Sequence, residues 1–248
     1  MTAPAITAAT LAKLAKYDTP TICNVIELFE IRPHDVGFMD GRIRAAFPEM
    51  PPMVGFAATA SFRSSSPSRE STYVALEAQL EQFQRLPGPA IVVFQDLDDS
   101  AVGATFGEVM CSTYQAFGSA GLITSGGGRD LLQVRALNYP VFSGSTICSH
   151  AYCQTVDVGS RVRVGGLPVQ TGDLLHGDAN GVTSIPLEIA AEVADVADEF
   201  VAAEAHVLEY VKGQGRKQIA DLAEKRRAMA ESLSAIRRRV SRKGKMVH

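Results

Sequence analysis

Three short stretches of the chain hold residue types that can do chemistry. The densest is Ser125-Gly126-Gly127-Gly128-Arg129-Asp130, which follows an apolar run and precedes a helical pattern. Glycines let a backbone approach a ligand closely and leave N–H groups open to an anion. The Arg129 guanidinium is a planar fork suited to a carboxylate or phosphate. Asp130 is a hard oxygen ligand for Mg²⁺ or Mn²⁺. Together they suit an anionic substrate that chelates a metal. The alternative is a glycine loop bearing a surface Arg–Asp pair. The stretch has neither the P-loop pattern nor the spacing GxGxxG, so neither standard nucleotide fingerprint applies.

The second stretch is Gly103-Ala104-Thr105-Phe106-Gly107-Glu108, behind an acidic turn of Asp96, Asp98 and Asp99. Gly107 permits close backbone approach, and Glu108 falls at a helix start, where the dipole favours a carboxylate. Taken alone, helix capping explains it. The third runs from Gly172-Asp173 through His176-Gly177-Asp178 to Gly181-Val182. His176 and Asp178 have the chemistry of metal ligands or an acid/base pair, but turn formation is the simpler reading. Cys148, His150 and Cys153 lie close together without a second ligand pair, so zinc is not expected there, nor a Cys–His nucleophile.

The elements that must position these residues follow from the hydrophobic pattern. Residues 8–30 read as helical, broken at Thr19-Pro20-Thr21, and 31–52 as loop. A strand is expected over 54–62, a polar loop over 63–71 and a helix over 72–86. Ala90–Asp96 is a short continuous apolar run, hence a buried strand. A helix over 106–117 leads to a second buried strand at 121–124, which runs into the glycine stretch. A helix over 130–137 and a strand over 139–142 follow. Beyond residue 155 the runs alternate, with Gly165-Gly166 as a hairpin turn and a tight turn at 178–182. Residues 187–211 form one long helix. Helix–strand units, then β-rich sequence, then helices make a layered α/β domain rather than a doubly wound sheet.

The chain has 248 residues and a net charge of −3. Residues 1–215 carry 13 Lys and Arg against 24 Asp and Glu, a net of −11; residues 216–248 carry 11 against 3, a net of +8. Apolar residues make up 46%, which excludes a largely disordered chain and a disulfide-stapled mini-protein. There is no signal-peptide pattern and no apolar window of about 18 residues, so a cytoplasmic protein with no membrane span is expected. Its four cysteines are expected to be reduced.

Taken in order, the pieces are more specific than any one alone. Gly107-Glu108, Gly118 and Gly121, Gly126-x-x-Arg129-Asp130, Tyr139-Pro140-Val141-Phe142, Val164-Gly165-Gly166, Gly172-Asp173, Gly177-Asp178, Gly181-Val182 and Ile185-Pro186 resemble the RraA-like family over about residues 15–213. That family includes metal-dependent 4-hydroxy-4-methyl-2-oxoglutarate/4-carboxy-4-hydroxy-2-oxoadipate aldolases. The resemblance implies an α/β/β/α swivelling-domain fold, homo-oligomers (trimer or hexamer) and a site in a cleft between subunits. It implies that Arg129 holds the keto oxygen and stabilises a pyruvate enolate. Asp130 would hold Mg²⁺ or Mn²⁺, and Glu108 would orient a water on the metal for proton transfer. The backbone at Gly107, Val109 and Met110 would receive the pyruvate carboxylate. A glutamate from the neighbouring subunit's C-terminal helix completes such sites, and Glu204 is the candidate by spacing, with Glu199 next.

The expected activity is therefore cleavage of a 4-hydroxy-2-oxo acid, or decarboxylation of oxaloacetate, through one enolate. A lysine would make this a Schiff-base reaction, but residues 1–215 contain only Lys13, Lys16 and Lys212, none in a motif. That shortage favours Lewis-acid catalysis. The chain departs from the family at Ser125-Gly126, where many members have Asp-Gly, and at Thr21-Ile22-Cys23-Asn24, which lacks an aspartate. It also has Ser143-Gly144-Ser145 in place of a frequent Ala-Arg-Gly. The alternative function is a non-catalytic regulator that binds another protein, like the family's ribonuclease-inhibiting members.

The basic tail reads as an appended amphipathic helix of about six turns over Ile219, Leu222, Met229, Leu233, Ile236 and Val240. Residues 1–215 then form the family-like domain and 216–248 the appendage. Against a body of net −11, the cluster Arg237-Arg238-Arg239, Arg242, Lys243 and Lys245 is assigned to an acidic protein surface, its own or a neighbour's, rather than to nucleic acid.

Overall fold

The computed structural model describes residues 6–67, 74–98 and 100–243. Two short helices come first, α1 (Ala8–Leu14) and α2 (Thr19–Leu28). The Asp18 side chain accepts the Thr21 N–H at 2.9 Å, and Pro20 sits in the first turn, where its missing donor costs nothing. The loop expected over 31–52 contains one short strand, β1 (Arg44–Ala45). Then come β2 (Met53–Arg63), α3 (Val74–Arg85), β3 (Ala90–Asp96), β4 (Ala104–Phe106), α4 (Glu108–Ala116), β5 (Ser119–Gly128), α5 (Leu131–Ala136) and β6 (Val141–Thr146).

The β-rich stretch supplies β7 (Gln154–Val158), β8 (Val162–Val164), β9 (Leu167–Val169), β10 (Leu174–Asp178) and β11 (Gly181–Ile185). Two long helices close the chain, α6 (Ala190–Lys212) and α7 (Ile219–Val240). The expected turns form: Gly165 and Gly166 adopt φ +53° and +77° between β8 and β9, and Asp178 faces Gly181 across the β10–β11 pair.

The main sheet runs β1-β6-β5-β3-β2-β10-β11, with β4 added to β5 and β7 to β2. Strands β2, β3, β5 and β6 are parallel; the first three are nearly fully buried and β6 is buried at Val141 and Phe142, so these parts read as continuous apolar runs. Side chains alternate between two environments. Val54 and Phe56 of β2 pack beneath α1, α2, α6 and α7. Ala58, Ala60 and Phe62 of the same face join Val92, Phe94, Leu122 and Val141 beneath α3, α4 and α5. The opposite face contributes Met53, Ala57, Ile91, Val93, Ile123 and Phe142, packed with the β8–β9 hairpin and Leu175. The sheet thus curls around its own core, and a section through the molecule runs helix, sheet, sheet, helix. This is the layered α/β/β/α class expected.

Two expectations need correction, at the glycine stretch and at the helix before it. Ser125–Gly128 is not a loop but the last part of β5, paired with β6 and β4. The helix expected from Phe106 begins at Glu108, because Ala104–Phe106 is drawn into the sheet beside β5. Parts of the loop at 63–71 and of the start of the helix at 72–86 lie outside the described residues, as do Asp99 and Lys245.

The C-terminal half of α7 docks on its own chain. Ile236 and Val240 are buried with α1, α2 and α6. Arg239 pairs with Glu199 at 2.6 Å, and Arg242 grips both oxygens of Glu192 at 2.6 and 2.7 Å while donating its backbone N–H to Phe29 O. The acidic partners come from α6, so the opposite charges of the two sections meet within one chain. No helix among the described residues is long and apolar enough to cross a membrane.

Candidate functional site

Strand β5 carries Arg129 and Asp130 immediately past its end, and β4 delivers Gly107 and Glu108 beside them. The Arg129 N–H donates to Phe106 O at 3.1 Å, so the two strand ends are tied. Asp130 takes φ +55°, a conformation disfavoured for a residue with a Cβ. Its carboxylate accepts the Glu108 N–H at 3.1 Å and lies 3.8 Å from Arg129 Nε.

Gly107 is the cap of α4 and offers no side chain to it. The first-turn N–H groups of Val109 and Met110 have no intrahelical acceptor and no other acceptor among the described residues. Both residues line a cleft of about 310 Å³, together with Thr105, Phe106, Gly107, Arg129, His150 and Cys153. Two N–H groups at a helix start beside a guanidinium form a receptor for a carboxylate. Val109 is 70% exposed, so the cleft is open on one flank.

Arg129, Asp130, Glu108, Gly107, Val109 and Met110 therefore lie near one another, although Asp130 and Glu108 are not among the residues that line the cleft. Glu204 is not with them: it lies on α6, on the other helical layer, where burial and the nearby Asp18 carboxylate push its carboxyl above the ordinary range. Glu199, the second candidate, is engaged by Arg239. His176 and Asp178 form a separate buried cluster beneath α2. His176 Nε2 meets Leu14 O at 3.2 Å and Nδ1 meets Thr19 Oγ1 at 2.9 Å; Asp178 accepts the N–H groups of Thr19 and Asn180. Turn and cap chemistry accounts for them.

His150 and Cys153 were set aside on sequence grounds, yet both line the cleft. Ala151 and Cys153 take φ +46° and +38°, strained backbone next to the site that no residue type announces. Burial pushes the Cys153 thiol above its ordinary value, against the pull of Arg129, so it is no ready nucleophile. No lysine lines the cleft; Lys13 is bound to Asp195 elsewhere.

Among the described residues no three His, Cys, Asp or Glu side chains converge as a metal cage. One outward carboxylate at Asp130, with Glu108 beside it, still fits Mg²⁺ or Mn²⁺. Mg²⁺ characteristically keeps several waters and takes one or two carboxylates plus substrate oxygens.

The RraA-like family, described as Aldolase/RraA, matches residues 19–183. A protein of Halalkalibacterium halodurans provisionally named 4-hydroxy-4-methyl-2-oxoglutarate aldolase is 30% identical over 167 residues, spanning 67% of this chain and 69% of its own. Among solved structures, an uncharacterized protein from Pseudomonas syringae pv. tomato superposes with a TM-score of 0.69 at 22% identity, covering 92% of this chain and 97% of that one. RraAS2 of Streptomyces coelicolor, described as an unusual member of the RNase ES inhibitor RraA family, gives 0.64 at 24% identity over 80% and 96%. The likeness to these two structures is one of fold. With the family match spanning most of the chain, this protein belongs to the RraA-like family.

Proposed function

We propose that the chain is a divalent-metal-dependent lyase that cleaves a 4-hydroxy-2-oxo acid by retro-aldol reaction, or decarboxylates oxaloacetate, through a pyruvate enolate. The observation that carries this reading is the placement of Arg129 beside the open N–H groups of Val109 and Met110 in one cleft. The N–H pair receives the C1 carboxylate of a 2-oxo acid. Arg129 then faces the C2 oxygen, where negative charge develops as the C3–C4 bond breaks. A fixed guanidinium there lowers the barrier because it needs no reorganisation during the reaction.

Asp130, with Glu108 beside it, would hold Mg²⁺ or Mn²⁺, which supplies Lewis-acid polarisation of the 2-oxo group. Glu108 is exposed and orients the water that takes the proton from the C4 hydroxyl and later returns one to C3. The carbonyl half of the substrate lies toward His150 and Cys153. In decarboxylation, the bond to the departing carboxylate breaks instead, CO₂ leaves and the same enolate forms.

The open flank at Val109 supports a site completed by a neighbouring copy, and Glu204 is proposed to serve the neighbour's cleft rather than its own. The test is a coupled pyruvate assay over oxaloacetate and a panel of 4-hydroxy-2-oxo acids with Mg²⁺ or Mn²⁺. Pyruvate release that disappears in Arg129→Ala is expected. No release from any of them would leave the protein-binding regulator as the reading, and Asp130→Ala would then be tolerated.

A further inference from the structure

A second cavity lies on the opposite face of β5. It holds about 630 Å³ and is lined by Arg42, Arg44, Ser125, Gly144, Arg163 and Gly166, among others. None of these residues lines the Arg129 cleft. The packing sets the two apart: Ser125 follows Ile123 on the core face of the curled sheet, beside Ile43, whereas Phe106 and Met110 of the Arg129 cleft pack in the cluster beneath α3, α4 and α5. The cavity is therefore the mouth of the curled sheet, toward the carboxyl ends of β3, β5 and β6. That is where α/β sheets receive ligands.

Its wall is irregular in a specific way. Between Thr124 and Gly127 on β5, and Ser143 and Ser145 on β6, the register shifts, so Ser125 and Gly126 oppose Gly144 alone. Such bulges recur next to binding sites because they re-aim side chains and free backbone groups. Ser125 Oγ accepts the Asp96 N–H at 2.9 Å, which leaves its own hydrogen to donate.

Three guanidinium groups border this mouth, two from the stretch that leads into β1 and one from β8. Arg163 sits on β8, with Nη1 held by Gly166 O at 2.8 Å across the Gly165-Gly166 turn. Arg44 sits on β1, with Nε held by Gly41 O at 3.0 Å. Each is anchored through one nitrogen to a carbonyl and keeps its other donors. Neither is ion-paired among the described residues. Arg42 is clasped by Asp40 at 2.9 and 2.6 Å. Three guanidinium groups thus meet one carboxylate, in a section of chain whose net charge is −11. Like charges gathered without counter-charge are costly unless an anion joins them.

We propose that this mouth is a binding site for a small oxyanion carrying two negative charges, of the phosphate class, separate from the Arg129 cleft. Arg44 and Arg163 are its principal ligands and Ser125 a further donor. Donors arriving from β1, β8 and β5 surround a tetrahedral group better than they clasp one planar carboxylate. The volume also falls in the range of small-molecule sites.

The test is isothermal titration calorimetry on the full chain at low ionic strength, with inorganic phosphate in one arm and succinate in the other. Saturable binding of phosphate, tighter than succinate, is expected in the parent protein. Arg129→Ala should bind as the parent does. The double variant Arg44→Gln/Arg163→Gln should bind at least 10-fold more weakly, with an unchanged melting curve. Both side chains are exposed, and each single variant provides an intermediate loss should the double variant fold poorly. Tighter binding of succinate that persists in Arg129→Ala and is lost in the double variant would assign the site to dicarboxylates and overturn the phosphate assignment. Binding of neither anion, or phosphate binding weakened only by Arg129→Ala, would overturn the site itself.

Discussion

The carboxylate of Asp130 accepts the backbone N–H of Glu108 at 3.1 Å, which joins the end of β5 to the first residue of α4. With the Arg129 N–H bond to Phe106 O, it holds together the two halves of the proposed carboxylate site: the guanidinium of Arg129 on one element and the first-turn N–H groups of Val109 and Met110 on the other. The close approach requires Gly107. A Cβ there would fall 2.5 Å from Asp130 Oδ2 and 3.2 Å from Arg129 Nε. The φ of Gly107 is −157°, so the constraint is space rather than conformation. Gly107→Ala should therefore push the Asp130 carboxylate aside and lower kcat/KM by about 10-fold or more, since small misplacements in a site are costly. The melting temperature should hardly move, because the flexible end of Asp130 is what gives way. Parent-like kinetics in this variant would detach the Asp130–Glu108 bond from function.

Arg129→Ala should cut kcat by about 10²–10³, the usual loss on removing one donor to a developing oxyanion. Arg129→Lys should recover little of it, because a point charge does not reproduce the planar fork. Steady-state pyruvate release measures both. Equal activity of the Lys and parent proteins would argue that charge alone is needed.

Chelation should abolish pyruvate release, and Mg²⁺ or Mn²⁺ should restore it. Asp130→Asn should need far more metal for half-maximal activity, since it removes a carboxylate from a site that has no cage of three His, Cys, Asp or Glu side chains among the described residues. Full activity in chelator would point away from Lewis-acid catalysis.

His176 is fully buried, and burial lowers its pKa below the ordinary 6.5. Its neutral ring satisfies both neighbours, accepting from Thr19 Oγ1 and donating to Leu14 O. The unfolded chain takes up a proton near pH 6.5 that the folded chain refuses. Stability should therefore be independent of this group above pH 6.5 and fall as the pH drops below it, by at most about 1.4 kcal/mol per unit. Denaturant titrations between pH 5 and 8 measure the slope, and His176→Gln should flatten it whatever its effect on absolute stability.

The tail should be held by burial more than by charge. Ile236→Ala should cost about 2–4 kcal/mol, the usual range for a buried aliphatic truncation. Arg242→Ala should cost about 1 kcal/mol or less, because the Arg242 and Glu192 side chains are 30% and 43% exposed and solvent screens the pair. Thermal melts compare the two, and the reverse ranking would make the ion pairs the main attachment.

Much of the framework was written along the chain. Continuous apolar runs such as Ala90–Phe94 marked buried strands, and Gly165-Gly166 marked a hairpin, because burial on both faces and positive φ each demand particular residue types. Arg129 and Asp130 stood out by residue type, but Gly107 and Glu108 joined them only through the resemblance to the RraA-like family, since helix capping accounts for that pair by itself. The loop reading of Ser125–Gly128 failed for a definite reason. Glycine has low strand propensity, but here close neighbours on both sides, Phe106 against Gly128 and Ile147 against Gly127, leave no room for anything larger. Propensity gave way to packing.

What the sequence determined by itself was the layered α/β class, the family and the short list of candidate residues, since these rest on local periodicity, residue type and the order of the motifs along the chain. The tertiary structure decided which of those residues meet. It separated His176 from the cleft and gave it to the packing beneath α2. It carried His150 and Cys153 into the cleft through strained backbone at 151 and 153. It turned the +8 tail onto the carboxylates of its own α6. It also left Arg44 and Arg163, far apart in sequence, at the mouth of one cavity. Each outcome depends on the curl of the sheet and on which face of a strand a side chain takes, and no local stretch of sequence encodes those long-range distances.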